Sequence, residues 1–386
     1  RGVQSKNQRR GTALMAKTIT ALSCSGCGYI VPSDERSPFR CPKARPGDNI
    51  DHVLRETTSP GKELAQAFDS NEANPFLKYR KLFHSYQTAL AWRLSDADYV
   101  EIVRRLDDAV KKVDGCGFVE TPFEPIAGLH GLWVKDETGN VSGSHKARHL
   151  MGIMIWLEVV QKTFPGKKDP TLAIASCGNA ALGAAVVAKA AGRALDVFVP
   201  PSANPNVVKR LAELEARLVY CKRETNEPGD PCYLRFKKAI DQGALPFTVQ
   251  GNENGLTISG GKTLAYEMVS RLRKEKRSLD RIFIHVGGGA LASSIIQGVN
   301  DAKTLGLIDK LPKIPAVQTA GGYPMARAYQ RMLDQPEQDI EKKLRFAATH
   351  RSDFMWPWET EPKSIAHGIL DDETYDWLSV VEGMLR

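Results

Sequence analysis

The chain has 386 residues, is 42% hydrophobic and 25% charged, and carries a formal net charge of +8. That composition fits a globular protein of two or three domains and excludes a fibrous or membrane-spanning class, because no apolar run approaches the length of a membrane span. Seven scattered cysteines (Cys24, Cys27, Cys41, Cys116, Cys177, Cys221 and Cys232) argue against a disulfide framework and for a reducing, cytoplasmic setting.

In chain order, residues 1–60 are rich in Cys, Pro, Ser and Arg and show little periodicity. Arg1, Lys6, Arg9, Arg10 and Lys17 all precede the first acidic residue, Asp34. No aromatic residue interleaves them before Tyr29, so they read as a solvated basic tail and not as a nucleic-acid arm. The start lacks an apolar h-region, so no secretory leader is expected. Two residues separate Cys24 from Cys27, and Cys41-Pro42 follows after thirteen intervening residues. A ribbon of this kind needs four ligands. Residue 44, where a second Cys-x-x-Cys pair would finish, is alanine, and His52 is a conceivable fourth ligand. A degenerate ribbon without metal is the favoured reading, and zinc the alternative.

A helical pattern starts near Pro75 and runs to Leu90. A second amphipathic helix covers 95–113, opened by a Ser95 cap with Asp98 three residues on. From Leu129 onward strands and helices alternate. Strands are expected at 132–135, 171–175, 196–200, 217–220, 247–249, 281–286 and 314–318. Helices are expected from Ser144 to Pro165, and at 180–191, 206–214, 233–242, 263–274 and 291–304. Apolar strands alternating with helices predict an α/β fold, mainly parallel twisted sheets covered by helices on both faces. The expected division is a basic tail and Cys segment at 1–60, a larger cofactor domain at 61–170 plus 248–386, and a smaller mobile α/β domain at 171–247. The polar, proline-bearing segment 334–362 reads as a surface excursion.

Three short segments carry chemistry. Gly287-Gly288-Gly289-Ala290-Leu291 follows an apolar strand and opens a helix. Glycines admit close backbone approach to an anion, and N–H groups at a helix N-terminus point at it. There is no third glycine in Rossmann register. Lys146 stands in the first helical turn after Ser142-Gly143-Ser144, where the positive end of the helix dipole favours the neutral amine that a Schiff-base lysine needs. Ser176-Cys177-Gly178-Asn179-Ala180 follows a buried strand. The Asn179 amide can bind a ring oxygen, and it can equally cap the helix that follows.

In this order the three segments resemble the fold-type II pyridoxal-phosphate (PLP) enzymes, in particular the threonine synthase and threonine dehydratase branch, over roughly residues 75–380. Glu120-Thr121-Pro122-Phe123, Lys135-Asp136-Glu137, Gly260-Gly261-Lys262-Thr263 and Ile365-Ala366-His367-Gly368-Ile369 are similar to further motifs of that family. The resemblance implies that Lys146 holds the cofactor and moves the Cα proton. It implies that Asn179 meets the ring hydroxyl and that Gly287, Gly288, Gly289, Ala290 and Leu291 cradle the phosphate. Ser176, Cys177, Gly178, Asn179 and Ala180 would bind the substrate, a small amino acid. His145 either approaches the phosphate or packs under the ring. The Cys24, Cys27, Cys41 segment resembles the ribbon-like start of threonine synthases.

The implied activity is a lyase or synthase acting by Cα-proton abstraction and β/γ-elimination or replacement, threonine synthase-like with O-phosphohomoserine as substrate. Serine/threonine ammonia-lyase is the alternative, and a cofactor-binding but inactive protein is the reading from another class. A homodimer is expected from the resemblance. Lys135, Arg148, Lys209 and Lys262 are the cations available for a substrate phosphate. Two departures stand out. Ala290 occupies the place of a fourth glycine. No Ser, Thr or Cys on a strand after Ile369 is available for the pyridine nitrogen, which reads as an incomplete C-terminus.

Overall fold

The computed structural model describes residues 19–59, 61–166, 169–225, 227, 229–360 and 363–386; the basic tail through Lys17 lies outside these residues. The central element is a four-stranded parallel sheet in the order β7-β6-β5-β8. Its strands are β5 (Leu172–Ala175), β6 (Leu195–Val199), β7 (Arg217–Tyr220) and β8 (Leu245–Pro246). All five residues of β6 are buried, as expected of a strand covered on both faces. Its one acid, Asp196, pairs with Arg217 of β7.

A second parallel pair joins β9 (Ile284–His285) to β10 (Ala316–Val317). These strands are shorter than their apolar text suggests, although Ile282, Ile284 and Val286 all donate N–H groups to the 313–317 segment. Residues 133–135 form β4, which pairs antiparallel with β3 (Phe123–Pro125) and does not join the parallel sheets. At the N-terminal end, β1 (Thr20–Cys24) and β2 (Leu54–Thr58) form an antiparallel ribbon in register Cys24↔Leu54.

Local signals explain the long helices. Asp96–Asp114 begins in a capping box between Ser95 and Asp98 and stops at Gly115, which takes the left-handed conformation at φ 88°. Asn179–Ala190 is built from small residues because it lies tight against the Lys146–Thr163 helix. A Cβ at Gly183 would sit 3.1 Å from the Ala147 nitrogen. That close approach sets the heads of the two helices side by side.

The 334–362 segment departs from expectation. It contains the helix Ile340–Thr349, and Leu344, Ala347, Ala348, Phe354 and Met355 are buried against Trp377 and the C-terminal helix Trp377–Leu385. Leu344, Ala347 and Ala348 recur at helical spacing on one face, and this outweighs the polar composition. No helix among the described residues is long and apolar enough to cross a membrane.

Candidate active site

The chain enters the Lys146 helix through a strained turn. Ser142 and Gly143 are both left-handed (φ 57° and 72°), Ser144 is extended, and Lys146 is the first residue of Lys146–Thr163. Burial pulls the Lys146 ammonium below the ordinary lysine value, with Asp371 and Asp376 opposing. A cluster of imidazoles lies beneath it. The His145 ring is 5.8 Å from His149 and 5.7 Å from His285, which sits on β9 just before the glycine loop. Burial, followed by Lys146, holds all three below the usual histidine range, and His149 falls to about 3. They are neutral at pH 7. The buried Nε2 atom of His145 has no partner among the described residues.

Ser176 to Ala180 form the turn between β5 and the Asn179–Ala190 helix. Gly178 is the residue before the first helical turn and supplies no side-chain cap. Asn179 is inside the helix as its first residue, so the capping role open to it in the sequence is not realised. Its amide is exposed and has no partner among the described residues.

The glycine loop follows β9 and Val286. Gly289 has φ 100°, a left-handed conformation that requires glycine, and it leads into Ala290–Thr304. Ala290 is buried and has no positive φ, so the missing fourth glycine is accommodated. The N–H groups of the first helical turn lack intrahelical partners and face outward.

Residues 371–376, which no sequence signal marked, fold over this loop. Asp376 N–H donates to the Gly288 carbonyl at 3.1 Å, and the Thr374 hydroxyl donates to Gly287 O at 2.9 Å. The Gly288 N–H lowers the pKa of Asp371 by hydrogen bonding to it, while burial raises that carboxyl overall.

Lys146, His145, Ser176 to Ala180 and Gly288 to Leu291 line one cleft of about 2160 Å³, with Gly368, Ile369, Asp371 and Tyr375 on its rim. Gly287 lies below this lining, where a Cβ would stand 2.5 Å from Asp371 Oδ2.

The flanking motifs meet in one buried network. The Arg148 guanidinium donates to Glu137 (Nε to Oε2, 2.8 Å), Glu267 (Nη1 to Oε1, 2.5 Å), Thr263 Oγ1 (2.9 Å) and Thr121 Oγ1 (3.1 Å). Lys135 Nζ donates to the Thr121 carbonyl at 2.7 Å and to Glu267 at 2.5 Å. Lys262 is fully buried between Glu56 (2.6 Å) and Asp301 (3.2 Å). The network holds the β3–β4 hairpin and the Thr263–Lys274 helix against the lysine helix.

A half-buried amine of lowered basicity, an unpartnered amide and a glycine-headed helix open onto the same cleft. The free N–H groups suit a phosphate, the amide suits a ring hydroxyl and the amine suits a carbonyl carbon. The Asp371 carboxyl stands at the loop, where the Gly288 N–H acts on it. The arrangement fits pyridoxal phosphate provided Asp371 yields its place. Residues 117–379 match the pyridoxal-phosphate dependent enzyme family, and the chain belongs to it.

Among curated proteins, the chain is 29% identical to L-serine dehydratase of Saccharomyces cerevisiae over 196 residues, 49% of this chain and 56% of that protein. It is 25% identical to threonine synthase of Methanocaldococcus jannaschii over 215 residues, 54% of this chain and 48% of that protein. The chain thus spans about half the length of the curated relatives it matches. Among solved structures, diaminopropionate ammonia lyase from Escherichia coli superposes with a TM-score of 0.52 at 15% identity, covering 74% of this chain and 69% of that one. The shared fold is the fold-type II PLP architecture.

Proposed function

We propose that the chain is a PLP-dependent lyase that eliminates the β-hydroxyl of a small amino acid, serine or threonine. Lys146 would hold the cofactor covalently, Gly287 to Leu291 its phosphate and Asn179 its ring hydroxyl. Ser176, Cys177, Gly178 and Ala180 would orient the substrate carboxylate at the head of the neighbouring helix. The bound cofactor supplies an electron sink that acidifies the Cα–H bond. Lys146 Nζ then takes that proton. Burial lowers its basicity, with Asp371 and Asp376 opposing, which favours the neutral amine that a general base needs. The neutral histidines beneath it add no competing charge.

The observation that favours a hydroxy-amino acid is the fate of the four cations available for a substrate phosphate. Arg148 and Lys262 are fully buried in ion pairs, Lys135 is tied to Glu267, and Lys209 is exposed but does not line the cleft, whose exposed cations are Lys276, Arg277 and Arg281. Ser176, Asn179, Ser202 and Asn204 line the cleft together with Asp230, an acid that acts on the neighbouring Cys177. The second reading is a threonine synthase-like reaction on O-phosphohomoserine, favoured by the Cys-bearing N-terminal ribbon.

Purified protein loaded with PLP is expected to show a visible absorption band that borohydride traps and that Lys146→Ala lacks. It is expected to release ammonia and a 2-oxo acid from serine or threonine. Phosphate release from O-phosphohomoserine with no oxo acid from either hydroxy-amino acid selects the second reading. A trapped band without turnover of any of the three substrates overturns both readings in favour of a cofactor-binding, inactive protein.

A further inference from the structure

The N-terminal ribbon brings four donor groups to one point. Cys24 ends β1, Cys27 follows in a tight turn, Cys41 returns after a loop, and His52 stands just before β2. The ligand atoms of the four residues all lie within 4.8 Å of one another. Cys27 Sγ is 3.6 Å from Cys41 Sγ, and Cys24 Sγ is 3.4 Å from His52 Nδ1. A disulfide requires about 2.05 Å between sulfurs, so the thiols are not paired covalently. A tetrahedron with metal–sulfur bonds of about 2.3 Å and a metal–nitrogen bond of about 2.0 Å has edges of roughly 3.5–3.8 Å, close to the separations observed.

The surroundings are built for the same purpose. Cys27 N–H donates to Cys24 Sγ at 3.5 Å, and Gly28 N–H to the Cys24 carbonyl at 3.0 Å. Gly28 is left-handed at φ 69°, and a Cβ on Gly26 would lie 2.4 Å from Ile50 Cγ2. The turn therefore needs both glycines to bring the sulfurs together. His52 is oriented by Asp48, whose Oδ2 lies 2.9 Å from Nε2 and leaves Nδ1 facing the sulfurs. A carboxylate behind a histidine is the usual means of fixing the ring and tautomer of a metal ligand.

The ribbon has almost no core of its own. Its buried cluster is Cys24, Cys41 and Leu54, flanked by Cys27, Tyr29 and Val31. A segment of about 40 residues with so small a core needs a cross-link to hold its shape. Three sulfurs and one imidazole gathered at one point are a donor set of zinc.

We propose that Cys24, Cys27, Cys41 and His52 bind one zinc ion in a closed site, with Asp48 positioning His52, and that this ion clamps the ribbon to the cofactor domain. Four protein ligands leave no open position, so the role is structural. His52 supplies the ligand that alanine at position 44 does not. The loop between Cys41 and β2 carries the clamp. Asp51 N–H donates to the Ala348 carbonyl at 2.8 Å, Asp51 Oδ1 accepts Trp377 Nε1–H at 3.1 Å, and Asn49 O accepts the Arg351 N–H at 2.9 Å. Further along the ribbon, Glu56 holds the buried Lys262.

The test measures metal directly, apart from any turnover. Full-length protein, purified without chelator and reconstituted with zinc, is expected to contain one zinc per chain by mass spectrometry of the metal. Cobalt exchange is expected to give intense visible bands of tetrahedral geometry and a sulfur-to-cobalt charge-transfer band. Cys27→Ser and His52→Ala are expected to lose the ion, and Cys116→Ser, at a cysteine away from the site, to keep it. Asp48→Ala is expected to bind zinc about 10–100-fold more weakly while keeping the cobalt spectrum at saturation. If Cys27→Ser or His52→Ala fails to fold, the wild-type stoichiometry and cobalt spectrum still decide. Wild-type protein without bound zinc, an octahedral cobalt spectrum, or full stoichiometry in His52→Ala overturns the assignment.

Discussion

Asp371 lies against Gly287 so closely that a Cβ on the glycine would stand 2.5 Å from Oδ2, and the same carboxyl draws on the Gly288 N–H. An acid thus stands against the glycine loop, near enough to Lys146 to act on its amine. Phosphate and carboxylate cannot share the loop, because both are anions seeking the same donors. Asp371→Asn is therefore expected to tighten PLP binding about tenfold, equivalent to about 1.4 kcal/mol. An absorbance titration at pH 8 measures this; unchanged or weaker binding would sink the idea.

Asp376 beside this loop is almost fully buried and has an unpartnered Oδ2. Burial, followed by repulsion from Asp51, raises its pKa to about 7, while the Gly251 N–H, Arg55 and Lys146 oppose the shift. In the unfolded chain an aspartate titrates near about 3.9. Between about pH 4 and 7 the folded state therefore binds the extra proton, and stability falls as pH rises through that window. Thermal unfolding across pH 4–8 is expected to show this decline. Asp376→Asn is expected to flatten it and to melt higher than wild type at pH 8. A variant with the wild-type slope would mean that another group titrates.

Gly289 is the loop position that no other residue fits. Its φ of 100° disfavours a side chain, and a Cβ would lie 2.9 Å from Thr374 Cγ2 and 3.1 Å from Asp376 Cβ. Gly289→Ala is expected to destabilise the fold by about 1–3 kcal/mol and to weaken PLP binding. Urea unfolding with and without PLP separates the two effects. A variant of wild-type stability would show that the loop relaxes at no energetic penalty.

Arg148 is the hub of the buried network. Removing it leaves Glu137 without its cation and Glu267 with Lys135 alone in a buried site. Arg148→Ala is expected to lose about 3–5 kcal/mol by urea unfolding. A loss below 1 kcal/mol would show that Lys135 alone can neutralise the pair.

Much of this molecule is legible from local text. The Ser95–Asp98 box, Gly115, and the helix at 263–274 can be read from neighbouring residues, because caps and periodicity act within a few positions of the chain. The glycine loop and the placement of Lys146 are equally local: a left-handed glycine and a lysine at a helix head are properties of short segments.

Tertiary structure alone decided the rest. Arg148 meets Glu267, 119 residues away, and Lys262 meets Glu56, 206 residues away, so the cations that looked free for a substrate phosphate are consumed in the interior. The strands at 284–285 and 316–317 shrink because pairing depends on the partner strand, whatever their own apolar character. Asp371 lines the cleft and Asp376 reaches the glycine loop because the C-terminal helix packs on the 290–304 helix and carries the preceding loop across the glycines. His52 joins three distant cysteines because the β1–β2 register sets it beside Cys24. These contacts span long stretches of chain, and their energies come from desolvation and charge pairing at positions that only the packed fold brings together.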